Sequence, residues 1–122
     1  MWWGRYIGLD YAKAHCWQLV RLVYQQERGV ILPDYPSVSH DDRGRVAETI
    51  AREKDAGLWV QVNQPRAFDV ALMRGKRAIW HTGVMADAAN VLHTEKATGA
   101  VLVPVDDPRI ANRIAGFWRW QG

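Results

Sequence analysis

Cys16-Trp17-Gln18-Leu19-Val20-Arg21-Leu22-Val23-Tyr24-Gln25-Gln26-Glu27-Arg28 sets the terms on which the rest of the chain is read. The polar residues Gln18, Arg21 and Gln25 recur at helical spacing, while Trp17, Leu19, Val20, Leu22, Val23 and Tyr24 cover most of the remaining circumference. That pattern predicts a helix over 16–28 buried on a broad face. Gly29 is its expected stop. Val30-Ile31-Leu32 follows as a short apolar run, closed by the turn signal Pro33-Asp34-Tyr35-Pro36. Asp41 or Asp42 then offers an N-cap to a second helix, at about 43–55, with Val46 and Ile50 four apart on an apolar side and Gly57 at its end.

Beyond Gly57 the hydrophobic period falls to about two. Segments 58–62, 70–73, 79–85, 90–94 and 100–105 read as strands, 106–112 as a short helical turn, and 114–120 as a last strand. Helices first and antiparallel strands afterwards define an α+β fold, with N-terminal helices packed on an antiparallel sheet. At 122 residues the chain holds one domain, 1–122, large enough for a real core.

Composition excludes several function classes. With 48% hydrophobic and 24% charged residues the chain is not a disordered tail. A net charge of +3, spread along the sequence, is too weak a bias for nucleic-acid binding and suits an acidic ligand. A single cysteine excludes an internal disulfide. Apolar runs are too short for membrane insertion, and Met1-Trp2-Trp3-Gly4-Arg5 lacks the pattern of a secretory signal, so synthesis and folding in the cytoplasm are expected. Trp2, Trp3, Trp118 and Trp120 lie near the two ends, which suggests that the ends pack on the body or on a partner.

Few side chains are candidates for chemistry. Cys16 stands at the first turn of the predicted helix, where unpaired N–H groups and the helix dipole stabilise a thiolate and a developing oxyanion. The plain alternative is a small buried hydrophobe. His81 shares one side of its strand with Ile79 and Gly83, and Gly83 is expected to leave open space beside it. His93 lies on the next strand. A hairpin across 86–90 would make the two imidazoles neighbours, one to take a thiol proton and one to orient the first. His15 and His40 have weaker claims. A metal reading would recruit His81, His93 and Asp87 or Glu95. No close His-x-His or Cys-x-x-Cys pair supports it, so no metal or cofactor is expected.

Taken in order, the local strings are similar to a known family. Tyr11, His15-Cys16-Trp17-Gln18-Leu19-Val20 and Leu32-Pro33 resemble the upstream tyrosine, the Asp-Cys-Trp-Gly-Leu-Val helix start and the Leu-Pro segment of the NlpC/P60 cell-wall cysteine peptidases. The likeness is greatest to the branch found in bacteriophage tails. Phe68-Asp69-Val70 resembles the family's Gly-Asp-led strand, His81-Thr82-Gly83-Val84 its His-x-Gly-[Val/Ile] motif, Leu92-His93 its later histidine, and Gly116-Phe117-Trp118-Arg119 its closing strand.

The resemblance implies a papain-like fold, with Cys16 as nucleophile, His81 as general base, His93 as the orienting residue and Tyr11 lining the site near the oxyanion. It implies hydrolysis of amide bonds in peptidoglycan stem peptides, typically from D-Glu to a diamino acid, with no cofactor. The expected setting is the tail tip or hub of a virion acting at the bacterial cell wall. The sequence departs from the family at His15 (usually Asp), at Gln18 (usually Gly) and in the missing Gly-Gly loop between Tyr11 and Cys16. Those departures favour a second reading, a structural tail component that keeps the fold with little or no hydrolysis.

Overall fold

The computed structural model describes residues 1–14, 16–34, 57–74 and 80–122. The expected helix is α1, Cys16–Arg28. It holds no glycine or proline and only two β-branched residues, Val20 and Val23, so local propensity and amphipathic pattern agree. Gly29 ends it at φ +64, a conformation that costs a residue with a Cβ. The chain then doubles back along the helix. The Trp17 indole donates to the Pro33 carbonyl at 3.1 Å, and Arg21 Nε donates to the Leu32 carbonyl at 3.1 Å. The second helix expected at about 43–55 lies outside the described residues, as do His15 and His40.

Among the described residues six strands form one sheet: β1 (Trp59–Val62), β2 (Val70–Arg74), β3 (Trp80–Met85), β4 (Asn90–Glu95), β5 (Gly99–Pro104) and β6 (Ile114–Trp120). Their order is β1-β6-β2-β3-β4-β5, with every neighbouring pair antiparallel. The last strand thus inserts between the first two. The expected helical turn before it is a 3-10 turn at Ala111–Arg113. The fold is α+β, as the sequence pattern predicts.

Two apolar clusters hold the sheet. In the larger one, Trp17, Val20, Val23 and Tyr24 of α1 pack with Val70, Leu72, Val84, Leu92 and Ala100. A smaller one gathers Ala71, Met85, Val91, Val103 and Ile110. Neighbours in sequence divide between the two, Val84 from Met85 and Leu92 from Val91, as strand alternation requires. The helix packs chiefly on β3 and less on β4.

The entrance to β2 is braced by charge. Asp69 is 2% exposed. Its carboxylate accepts from Arg119 Nε at 2.9 Å, from Arg119 Nη2 at 2.7 Å and from the Arg66 N–H at 2.8 Å. The two-pronged guanidinium contact ties β2 to β6. Phe68, just before it, has φ 75, a left-handed conformation that is an outlier for a bulky residue. It stands where the resembled motif has glycine. Its ring is held on several sides: Trp2 stacks on it at 4.7 Å, Tyr24 meets it edge-on and Arg28 lies over it at 5.2 Å. The Tyr24 hydroxyl donates to its carbonyl. The aromatic residues near the chain ends therefore pack on the body; Trp120 likewise meets Trp59 at 5.0 Å.

The start of the chain is tied to the far side of the sheet. Gly8 N–H donates to the Ala100 carbonyl at 2.7 Å and Ala100 N–H to the Leu9 carbonyl at 2.9 Å. Gly99 permits this approach, because a Cβ there would meet the Leu9 oxygen at 2.5 Å. The segment leading to Tyr11 and Cys16 is fixed against β5 in this way.

Candidate active site

Cys16 is the first residue of α1 and is 2% exposed. Upstream, Asp10 organises the turn that carries Tyr11. Its carbonyl accepts from the N–H groups of Lys13 and Ala14, and its carboxylate from the Ala12 N–H at 3.1 Å. Tyr11 is half-buried, and the Lys96 ammonium lies 5.8 Å from its ring centre. Lys96 follows directly on β4, so the end of that strand reaches the Tyr11 turn.

The hairpin that the sequence reading requires is present. Its β3–β4 ladder pairs Met85 with Val91 and Val84 with Leu92. The turn is closed by Asp87, whose Oδ1 accepts from the N–H groups of Ala89 and Asn90, each at 2.8 Å. Asp87 therefore serves the turn. These donors hold its carboxyl below the usual range.

Across this hairpin His81 Nε2 and His93 Nδ1 lie 3.1 Å apart, within hydrogen-bond distance, with the rings nearly perpendicular at 83°. The expectation of open space at Gly83 is corrected. A Cβ there would meet Val91 Cγ2 at 2.7 Å, the Leu92 oxygen at 3.0 Å and His93 Cβ at 3.1 Å. Glycine at this position lets β4 come close enough for the two imidazoles to meet.

His93 is 2% exposed and His81 partly so. Burial, reinforced by His93 and Arg113, pushes His81 down to about 3. Burial also lowers His93; Arg113 and Arg109 act in the same direction and Glu95 opposes them. Both rings are neutral at neutral pH. One hydrogen bond between neutral imidazoles admits two tautomer arrangements, and only the one in which His81 Nε2–H donates to His93 Nδ1 leaves His81 Nδ1 bare. The other ring nitrogen of His93, Nε2, is buried without a partner among the described residues, as are the hydroxyls of Thr82 and Thr94.

The structure brings His81 and His93 into direct contact and carries Cys16 to the sheet on the helix that packs on β3. Glu95 is a neighbour that the sequence reading weighs only for a metal. Its Oε1 is 3.6 Å from His93 Nδ1, and Arg113 Nη1 lies 4.0 Å from the same oxygen. The signal was present in His93-Thr94-Glu95, where alternation puts the first and third residues on one side of the strand. Arg113 carried no such signal, being 18 residues beyond Glu95 in a separate turn.

Among the described residues no helix is long and apolar enough to cross a membrane. A search of curated proteins finds no match to the chain. The sequence profile of the NlpC/P60 family, in contrast, matches residues 3–119, nearly the whole length. Members of that family are generally cysteine peptidases or amidases, and this chain belongs to the NlpC/P60 family.

Proposed function

We propose that the chain is a cysteine endopeptidase that cuts amide bonds of peptidoglycan stem peptides, from D-Glu to a diamino acid, as a component of a phage or prophage tail during genome delivery. The observation that carries the catalytic part is the His81–His93 contact, in a chain of a family of cysteine hydrolases. Cys16 is the nucleophile and His81 Nδ1 the base. His93 holds the His81 ring through its other nitrogen, and Tyr11 lines the site near the oxyanion.

The low basicity of His81 sets the course of the reaction. With so weak a base, proton transfer accompanies attack rather than preceding it. Sγ adds to the amide carbonyl while its proton passes to His81 Nδ1. The amine leaves with that proton, giving a thioester. His81 then deprotonates water, which attacks the thioester and frees a carboxylate and the thiol. The first N–H groups of α1 face the developing oxyanion.

A second reading is that the fold serves as a tail hub with little or no hydrolysis. It is favoured by Gln18, which stands where the family has a small residue. Gln18 Oε1 accepts from Arg21 at 3.1 Å and its Nε2 donates to Asp34 at 3.2 Å, so it stitches the first turn of α1 to the returning chain. Incubation of purified peptidoglycan with wild type and Cys16→Ala, followed by mass spectrometry of the muropeptides, separates the two. A stem-peptide product absent from the variant supports the enzyme and names the bond. No product from folded wild type moves the assignment to the hub.

A further inference from the structure

We infer that His81, His93 and Glu95 form a binding site for a single zinc ion, and that the ion silences the base. The second half rests on the role proposed for His81; the first does not. The three residues offer donor atoms that all lie within 4.8 Å of one another. His81 Nε2 is 3.1 Å from His93 Nδ1, and His93 Nδ1 is 3.6 Å from Glu95 Oε1. Ligands at 2.0–2.1 Å from a tetrahedral zinc ion stand about 3.3 Å from each other. The two measured edges bracket that spacing. The Glu95 side chain is 45% exposed, so its carboxylate is free to swing in and close the third edge.

Two imidazoles and a carboxylate are the donor set of an open zinc site, which keeps its fourth corner for water or another ligand. The sequence reading names these residues for a metal and sets them aside for want of a His-x-His pair; the third donor is supplied by His93-x-Glu95 and the first by the neighbouring strand. Positive charge opposes the ion, from Arg113 most directly and also from Arg109. Arg113 Nη1 is 4.0 Å from Glu95 Oε1, while its Nε donates to the Arg74 carbonyl at 2.8 Å. Arg113 competes for the carboxylate and adds a positive charge at the site.

Zinc and the bridging proton exclude each other. In the arrangement required for catalysis, His81 carries its proton on Nε2 and directs it at His93 Nδ1. Zinc occupies the lone pairs of both nitrogens. The His81 proton moves to Nδ1, the nitrogen that must be bare to take the thiol proton. No proton is gained or lost overall, and no covalent bond changes apart from the N–H bond that shifts.

The test is calorimetric titration of zinc chloride into the full chain and into Glu95→Gln and Arg113→Gln, with stem-peptide hydrolysis assayed in parallel. Expected are one ion per chain, binding weakened about tenfold or more in Glu95→Gln, and binding tightened in Arg113→Gln, because the competing cation is gone. Hydrolysis by wild type falls in step with zinc occupancy and returns with a chelator. Absence of saturable binding overturns the site, as does equal affinity in all three proteins. Zinc binding with the two opposite shifts, in a protein that hydrolyses nothing even when stripped of metal, supports the metal site and overturns the catalytic reading of His81.

Discussion

Two buried polar constellations stand on adjacent strands, and they are finished to different degrees. At the start of β2, Asp69 is enclosed and satisfied, with three donors on its two oxygens. On β3 and β4, His81 and His93 satisfy one nitrogen each against the other, and His93 Nε2 and the flanking threonine hydroxyls have no partner among the described residues. A closed network fixes strands in place, and its cost of burial is offset locally. An open one forgoes stability and keeps donors and acceptors available to a substrate, a proton or a metal. The first is architecture; the second is where chemistry is to be sought.

Substitutions at the two places should separate accordingly. The largest effect is expected at His81→Ala, where stem-peptide hydrolysis falls at least about a hundredfold while the denaturation midpoint moves little. A variant that keeps wild-type turnover would dissolve the contrast from the catalytic side. Asp69→Ala should do the reverse. It strands Arg119 and the Arg66 N–H and costs about 3 kcal/mol in urea denaturation; a loss within experimental error would mean that β2 and β6 need no brace. Gly83→Ala comes next, because its methyl group would overlap Val91 and the β4 backbone. A cost of about 1–3 kcal/mol is expected, with a drop in turnover as the imidazoles part. Equal stability and equal activity would show that the hairpin yields without consequence.

The last prediction concerns acid. His81 is held neutral when folded, down to about 3, and titrates near its ordinary value of 6.5 when unfolded. Between those values the unfolded state binds the extra proton. Stability therefore falls as pH drops from about 6.5 toward 3, and this contribution is absent above 6.5. The slope from one such proton is about 1.4 kcal/mol per pH unit at most. Comparing wild type with His81→Asn across this range isolates it. Parallel curves would place the His81 ring in a far wetter setting than the structure gives it.

The parts of the molecule differ in how far the sequence exposed them. Helix α1 was legible to the residue, since an amphipathic run with no breaker ends at a glycine with positive φ. The strands were legible to within a residue or two, and so was the meeting of His81 and His93, because a hairpin with a short turn brings residues at that spacing together. Asp69 was not. Its partner Arg119 is 50 residues away, and only the insertion of β6 beside β2 joins them. Phe68 was not legible either: no propensity rule foretells a left-handed phenylalanine, and the rings of Trp2 and Tyr24 and the Arg28 guanidinium pack around it. Gly83 was read as a gap when it is a point of contact. A missing side chain looks the same in sequence whether it leaves room or lets a neighbour in.

The placement of β6 between β1 and β2 has a consequence for how the protein is made. Synthesis runs from β1 to β6, so the β2–β5 meander is complete while the slot beside it is still empty. Until residues 114–120 emerge, β1 has no neighbour in the sheet among the described residues, and one flank of β2 lacks the partner that β6 supplies. Asp69 likewise lacks its guanidinium during that interval. Such flanks are the surfaces through which nascent chains stick to one another. Pairing over this sequence distance is also slow to find. β6 is thus a keystone laid after the strands it joins, and the interval before it arrives is when those strands most need protection.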